Sequence, residues 1–261
     1  MKRIIESDLH STQLSRQVHI RIFLPKSYDT SPEKRYPVLY LHDGQNLTEP
    51  SEYSGYSWNV LATADRLSSN GEIPEILMVG IDAGPRRMEE YSHVFDERFI
   101  AQGKAEEHRE TWIPLGYEYG VFIVKTLKPW VDETYRSIPS DTVTAGSSCG
   151  GNVSFYLKLQ YPEVFRCIGA FSPAYHFLIQ DLKKKLKLVE FHEHDAIYHD
   201  MGSKEGWFAF LYPRQIQRIL RTKIPFQDHL KMVLDRGASH TELFWQARLE
   251  GFLKFAFEIT V

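Results

Sequence analysis

The sequence predicts an α/β fold, with a mostly parallel central sheet, helices on both of its faces and an antiparallel strand pair at the N-terminus. Three observations predict it. Tyr36–Leu41, Ile76–Ile81 and Cys167–Ser172 are short runs that are apolar on both faces, as strands covered above and below must be. Segments of helical period lie between strands, so successive strands need crossover connections and run parallel. The length of 261 residues suits one large domain over 1–261, and 16 Phe, 14 Tyr and 5 Trp supply a sizeable core.

Lys2–His10 and Gln17–Leu24 alternate with a period of two and form the entering strand pair. A polar connection from Pro25 to Arg35 leads to the Tyr36–Leu41 strand, which ends in the loop His42-Asp43-Gly44-Gln45-Asn46. Ser57 is placed to cap a helix over Trp58–Ser69, and Asn70-Gly71 to stop it. After the Ile76–Ile81 strand, residues 83–116 lose all period; a charged, aromatic stretch of that length reads as a functional loop. Tyr117–Arg136 has helical period, with Pro129 set to kink it. Within a second insertion, 175–195, Leu178–Glu190 reads as an amphipathic helix or a lid. Ala196–Met201 and Lys231–Leu234 are the last strands, and Thr241–Phe257 is the closing helix. No internal repeat, low-complexity tract or linker breaks this order.

The net charge of −3 argues against nucleic acid or an anionic membrane surface as a partner. Met1–Asp8 lacks the apolar run of an export signal, and no stretch approaches about eighteen uncharged residues, so a soluble, cytoplasmic protein is expected. Cys149 and Cys167 are the only cysteines and are expected as free thiols. A homo-oligomer is compatible with the sequence, which specifies no oligomeric state.

Thr144-Ala145-Gly146-Ser147-Ser148-Cys149-Gly150-Gly151 carries the pattern G-x-S-x-G. In a nucleophile elbow a strand turns sharply into a helix, and the apical serine, here Ser148, exposes its Oγ from a strained backbone. The flanking glycines lack Cβ atoms and let strand and helix approach. The setting fits: the β-prone Asp141–Thr144 comes before, and a plausible helix, Asn152–Leu159, follows.

A serine hydroxyl needs a base to take its proton, and the base needs a carboxylate to orient it. Of the histidines after Ser148, only His240 lies just beyond the last strand, opening the closing helix, where it can reach the sheet's carboxyl edge. The acid belongs in the loop after the preceding strand. Glu205 falls in that loop and is favoured; Asp200 falls inside the strand and is the alternative. Two backbone N–H groups must face the developing oxyanion. Cys149, following the nucleophile, supplies one, and Gln45, past Gly44, the other. Trp58, Arg87, Tyr91, Tyr175 and Trp207 are candidate substrate contacts, with plain packing as the alternative for each. His192-Glu193-His194 has no third ligand placed beside it, so no metal is called for. Lys183–Lys185 is a helix face that leans toward an anionic substrate if it faces the site.

Linked in order, these segments resemble the putative-esterase family of α/β-hydrolases, which includes siderophore, feruloyl and acetylxylan esterases, S-formylglutathione hydrolase and the mycolyltransferases. The resemblance runs through Tyr40–Asn46, Trp58, Val79–Asp82, Arg87–Tyr91, Ala145–Gly151, Tyr161–Phe165, Gly202–Glu205, His240–Glu242 and Trp245. It implies an α/β-hydrolase fold and hydrolysis of a small-molecule ester without a cofactor. The family's nucleophile then falls on Ser148, its histidine on His240, its acid on Glu205 and its oxyanion amides on Gln45 and Cys149. Cys149 departs from the Met or Leu common there, which leaves the backbone role intact. An acylated sugar, an aryl ester or a siderophore lactone is the substrate class implied. Acyl transfer through the same residues, or a non-catalytic binding protein on this scaffold, are the alternatives.

Overall fold

The computed structural model describes residues 3–94 and 113–258. Its strands are β1 (Ile4–Ser11), β2 (Arg16–Phe23), β3 (Tyr36–His42), β4 (Leu77–Ile81), β5 (Ser137–Ser147), β6 (Cys167–Phe171), β7 (Ala196–Gly202) and β8 (Leu230–Asp235). They join one eight-stranded sheet in the order β1-β2-β4-β3-β5-β6-β7-β8. β1 and β2 pair antiparallel, as does β2 with β4; every other pairing is parallel. The helices are α1 (Val60–Ser69), α2 (Arg87–Glu90), a long α3 over 116–134, α4 (Cys149–Gln160), α5 (Ile179–Leu188), α6 (Phe208–Leu220) and α7 (Glu242–Glu258).

The period of two divides each strand between two cores. From β3, Leu39 and Leu41 pack with Trp58 and Leu67 of the α1 region and with Trp245, Phe252 and Leu253 of α7. Val38 and Tyr40, on the opposite face, pack with Tyr119, Phe122 and Leu127 of α3 and Val153 of α4. Farther along the sheet, Ile168 and Ala170 of β6 meet Leu182 of α5 and Ile216 of α6. Helices therefore cover both faces, and the runs apolar on both sides are the strands they cover.

Several boundaries differ from expectation for identifiable reasons. α1 begins at Val60, not Trp58, and Ser57 does not cap it. The Trp58 and Val60 N–H groups donate to Asn46 and Leu47 carbonyls, and Asn59 turns to φ 50°, so the chain is tied to the preceding loop until that point. α3 stays continuous past Pro129 because a π-type turn over Ile123–Leu127 precedes the proline and absorbs its missing N–H. α5 sinks Ile179, Leu182 and Leu186 into the core, so it is a packed helix and not a lid. α6 was not anticipated, since Pro213 lies within it. Of the loop at 83–116, the helix α2 is described, whereas 95–112 lie outside the described residues. Cys149 and Cys167 are both buried free thiols.

Two histidines are locked inside this frame. His199 of β7 bonds the Tyr175 hydroxyl through Nδ1 at 2.9 Å and Gln217 Oε1 through Nε2 at 2.7 Å. Burial pushes its imidazole down to about 4. His42, at the end of β3, lies between the Tyr119 hydroxyl and Thr144 Oγ1, at 2.9 and 3.3 Å, and burial pushes it down to about 3. Both rings are neutral when folded and take up protons on unfolding below about pH 6.5. Their folded values are depressed, so the stability tied to them is intact above that pH and is lost as pH falls toward 4 and then 3. Each contributes a slope of about 1.4 kcal/mol per pH unit in its window. Urea unfolding at pH 7, 6 and 5 is expected to show that slope, and His199→Gln to remove one histidine's share; an unchanged slope would mean that His199 is charged in the fold.

Candidate active site

β5 ends at Ser147 and α4 begins at Cys149, leaving Ser148 to make the whole turn at φ 56°, ψ −122°. That conformation costs about 1–3 kcal/mol and persists only where its surroundings enforce it. Here the Ser148 N–H donates to the Phe171 carbonyl at 2.9 Å, while the Ser148 carbonyl accepts from the Asn152 and Ala174 N–H groups at 3.2 Å. Strand and helix touch backbone to backbone below the apex. A Cβ on Gly146 would lie 2.8 Å from the Gly150 carbonyl carbon, so glycine is required there.

The neighbouring strand β3 ends in a second tight feature. Asp43 takes φ 58°, and a 3₁₀ turn over Gly44–Asn46 follows. Its internal bond runs from the Asn46 N–H to the Asp43 carbonyl, so the Gln45 N–H lies outside the turn's own bonding. Gly44 presses on the start of the β4 loop, where a Cβ would meet Asp82 Oδ1 at 2.5 Å. The Gln45 side chain is held away from the turn, its Oε1 accepting the Ala83 N–H at 3.0 Å. Cys149 is the first residue of α4, and a helix's first N–H groups have no intrahelical acceptor.

Below this loop lies a polar cluster. Arg87 makes a two-point ion pair with Asp43, Nε to Oδ1 at 2.6 Å and Nη2 to Oδ2 at 2.7 Å, and rests 4.9 Å above the Tyr91 ring. The Tyr91 hydroxyl accepts the Asp43 N–H at 3.1 Å. Asp43 holds the Arg87 guanidinium well above its ordinary pKa against the opposing effect of burial. The Cys149 thiol touches Met88 Sδ at 3.7 Å and is pushed up by burial.

On the other side, the loops after β7 and β8 bring Glu205 and His240 together. His240 Nδ1 is 2.7 Å from Glu205 Oε2. A carboxylate only accepts, so Nδ1 carries the proton and Nε2 is left as the acceptor. Glu205 Oε1 accepts the Ser172 hydroxyl and the Gly202 N–H, both at 2.6 Å. Burial alone raises this carboxyl, but the bonds from His240, Ser172 and Gly202 outweigh it and hold Glu205 below the ordinary carboxylate range.

Ser172 itself is a hub that the sequence reading missed. Its oxygen accepts the Trp245 indole N–H and the Arg248 Nη2–H, each at 2.9 Å. Both partners can only donate, so the hydroxyl's lone pairs are filled and its single proton has one destination, Glu205. Ser172 sits at φ 44°, which aims the side chain there. Asp200, the alternative acid, is bound from beneath: Oδ1 accepts the Ser172 N–H at 2.9 Å and Oδ2 the Arg248 Nε–H at 3.0 Å. Burial pushes its carboxyl up to about 6 against the pull of Arg248.

Ser148 and His240 line one cleft of about 660 Å³ with Gln45, Asn46, Arg87 and Trp245, and its outer wall is the segment Pro50–Tyr53. Of the expected substrate contacts only Arg87 lines it, and its charge is engaged by Asp43. Trp58 is instead core, packed on Phe171 at 4.8 Å and Trp245 at 5.9 Å. Tyr91 is wholly buried beneath Arg87, and Tyr175 is buried against His199. Trp207 is 70% exposed and packs against Tyr212, outside the cleft. Glu242, a buried carboxylate in the cleft wall, was not singled out from sequence; its place two residues after His240, at the start of α7, was the available signal. His192 and His194 pair with Asp195 and Glu193, and among the described residues no His, Cys, Asp and Glu group is arranged to hold a metal ion.

The family model described as Putative esterase matches residues 11–256. The chain belongs to this family. It is therefore an ester hydrolase, acting on carboxylic esters. It is 23% identical over 233 residues to the uncharacterized protein YbbA of Bacillus subtilis (strain 168), covering 84% of each chain. Among solved structures, the BES protein from Bacillus cereus superposes with a TM-score of 0.78 at 16% identity, covering 98% of this chain and 97% of that one. A ferulic acid esterase superposes with a TM-score of 0.69 at 21% identity, covering 98% of both. At such identities these structures establish the shared fold, that of the α/β-hydrolases. Among the described residues no helix is long and apolar enough to cross a membrane.

Removing the Ser172 hydroxyl leaves two buried donors without an acceptor, at about 1–3 kcal/mol each. Ser172→Ala is expected to lower unfolding stability by at least about 2 kcal/mol in urea titrations. Ser172→Gly, which tolerates φ 44°, is expected to be milder by about 1 kcal/mol. Equal losses would show that the backbone there carries no strain.

Proposed function

We propose that this esterase is a serine carboxylesterase working through an acyl-enzyme on Ser148. The observation that carries the reading is the Glu205–His240 pair, closed at 2.7 Å, on the same cleft as a serine at φ 56°. Ser148 Oγ attacks the ester carbonyl carbon while His240 Nε2 takes the hydroxyl proton. The tetrahedral oxyanion is received by the N–H groups of Gln45 and Cys149. Its collapse breaks the bond to the alcohol oxygen, which leaves with the proton from His240. Water then attacks the acyl carbon, giving its proton to His240, and the acid departs as that proton returns to Ser148. Glu205, ionised by its own hydrogen bonds, holds the Nδ1–H tautomer and balances the imidazolium charge that forms twice per cycle.

Asp200 is a poor fit for the acid's role because both of its oxygens are engaged below the site, by the Ser172 N–H and Arg248. Arg87 acts through Asp43, bracing the loop that carries Gln45. The ester is a small molecule, with acylated sugars, aryl esters and siderophore lactones as the classes to examine, and two buried free thiols suit a reducing, cytoplasmic setting.

A fluorophosphonate probe is expected to form one adduct, mapped by mass spectrometry to Ser148. Ser148→Ala is expected to lose p-nitrophenyl acetate hydrolysis by about a thousand-fold or more, and Glu205→Gln by at least about ten-fold. Wild-type rates in Ser148→Ala, or an adduct on Cys149 instead, would overturn the reading.

A further inference from the structure

The cleft carries an imbalance of charge that ester hydrolysis itself does not need. Arg87 is the one Lys or Arg among the described lining residues, and Asp43 neutralises it through two bonds. Among the described residues, two carboxylates on the cleft have no cationic partner there, Glu242 in the wall and Glu52 at the exposed rim. The lysines that could have served an anionic substrate lie elsewhere. Lys183 bonds Gln215 at 3.1 Å, and Lys185 bonds the Tyr117 hydroxyl at 3.0 Å beside a different cavity, lined by His93 and Tyr156.

Glu242 is 3% exposed, and its carboxylate is held by the Ser54 hydroxyl on Oε2 and by Asn46 Nδ2 on Oε1, the latter at 3.4 Å. A carboxylate has about four acceptor positions, and among the described residues these bonds occupy two. The remaining capacity belongs to a group that lines the cleft. Ser54 braces the wall from behind: the Ser54 N–H donates to Ser51 Oγ and the Ser51 N–H to the Tyr56 carbonyl, closing a small loop that presents Glu52 and Tyr53 to the cleft. Tyr53, 77% exposed, offers its ring at the cleft mouth.

Building on the esterase reading, we infer that Glu242, aided by Glu52, sets the charge selectivity of the cleft. It admits esters that carry no negative charge and bear hydroxyl or other donor groups for the carboxylate to accept, and it turns anionic esters away. Like charges sharing one cleft, in surroundings less polarisable than water, discriminate by roughly ten-fold or more. The contribution of the exposed Glu52 is smaller and fades with salt. The lean toward an anionic substrate drawn from Lys183–Lys185 is thereby reversed.

The test uses two acetate esters of matched size, 4-acetoxybenzamide and 4-acetoxybenzoate, each corrected for its alkaline hydrolysis rate. The wild-type ratio of kcat/KM, neutral over anionic, is expected to be about ten or higher at low salt. Glu242→Gln, which keeps shape and one acceptor, is expected to bring the ratio within about three of unity, and Glu52→Gln to lower it by about two-fold. A wild-type ratio near one, or a ratio unmoved in both variants, overturns the inference. If the wild type hydrolyses neither ester, the esterase reading is what fails, and calorimetry on Ser148→Ala decides the charge question separately. Tighter binding of the benzamide supports the inference; equal binding, or none, overturns it.

Discussion

A backbone turned to φ 56° at Ser148 is the constraint from which the rest of the site follows. It is held by hydrogen bonds to β6 and to the segment just after it, through Phe171 and Ala174. It also needs a strand and helix pressed together until Gly146 and Gly150 have no room for a Cβ between them. The first condition is not local. The elbow can form only once β5 and β6 are paired and α4 is seated, so the strain at one residue is offset by the packing of a whole sheet edge.

The second layer of control is electrostatic and runs beneath the cleft. Arg248, itself buried, reaches Asp200, Asp235 and the Ser172 hydroxyl. Ser172 turns that positive charge into a directed proton on Glu205, and Glu205 orients His240. Burying carboxylates costs several kcal/mol unless each is compensated, and here each buried oxygen has a named donor. The outcome is a pair of neighbouring carboxyls in opposite states of bias: Glu205 held down by its donors, Asp200 raised to about 6 by burial.

Much of this was legible in the sequence, for physical reasons that differ by element. Runs apolar on both faces exposed the parallel strands, since only strands covered by helices need them. The glycine spacing around Ser148 is a steric requirement and therefore a readable one. The nearness of Glu205 and His240 could be anticipated because loops after adjacent parallel strands share one sheet edge. Ser172 could not be anticipated: its role depends on a left-handed backbone and on two donors from α7, far along the chain. Nor did proximity to the carboxyl edge tell which rings turn inward. Trp58, Tyr91 and Tyr175 all went to the core, where burying a large aromatic outweighs offering it to a ligand. Glu242 entered only as part of the His240–Glu242 stretch, because an acidic residue at a helix start is ordinary and its place in the cleft wall depends on the fold.

The parts of the site come from the ends of β3, β5, β7 and β8, and between Gln45 and His240 lies most of the chain. No short fragment contains the site, and no half of the sheet holds all of its parts. Turnover in this protein is thus a reporter of global order, since it needs loops from both halves of the sheet held in place at once.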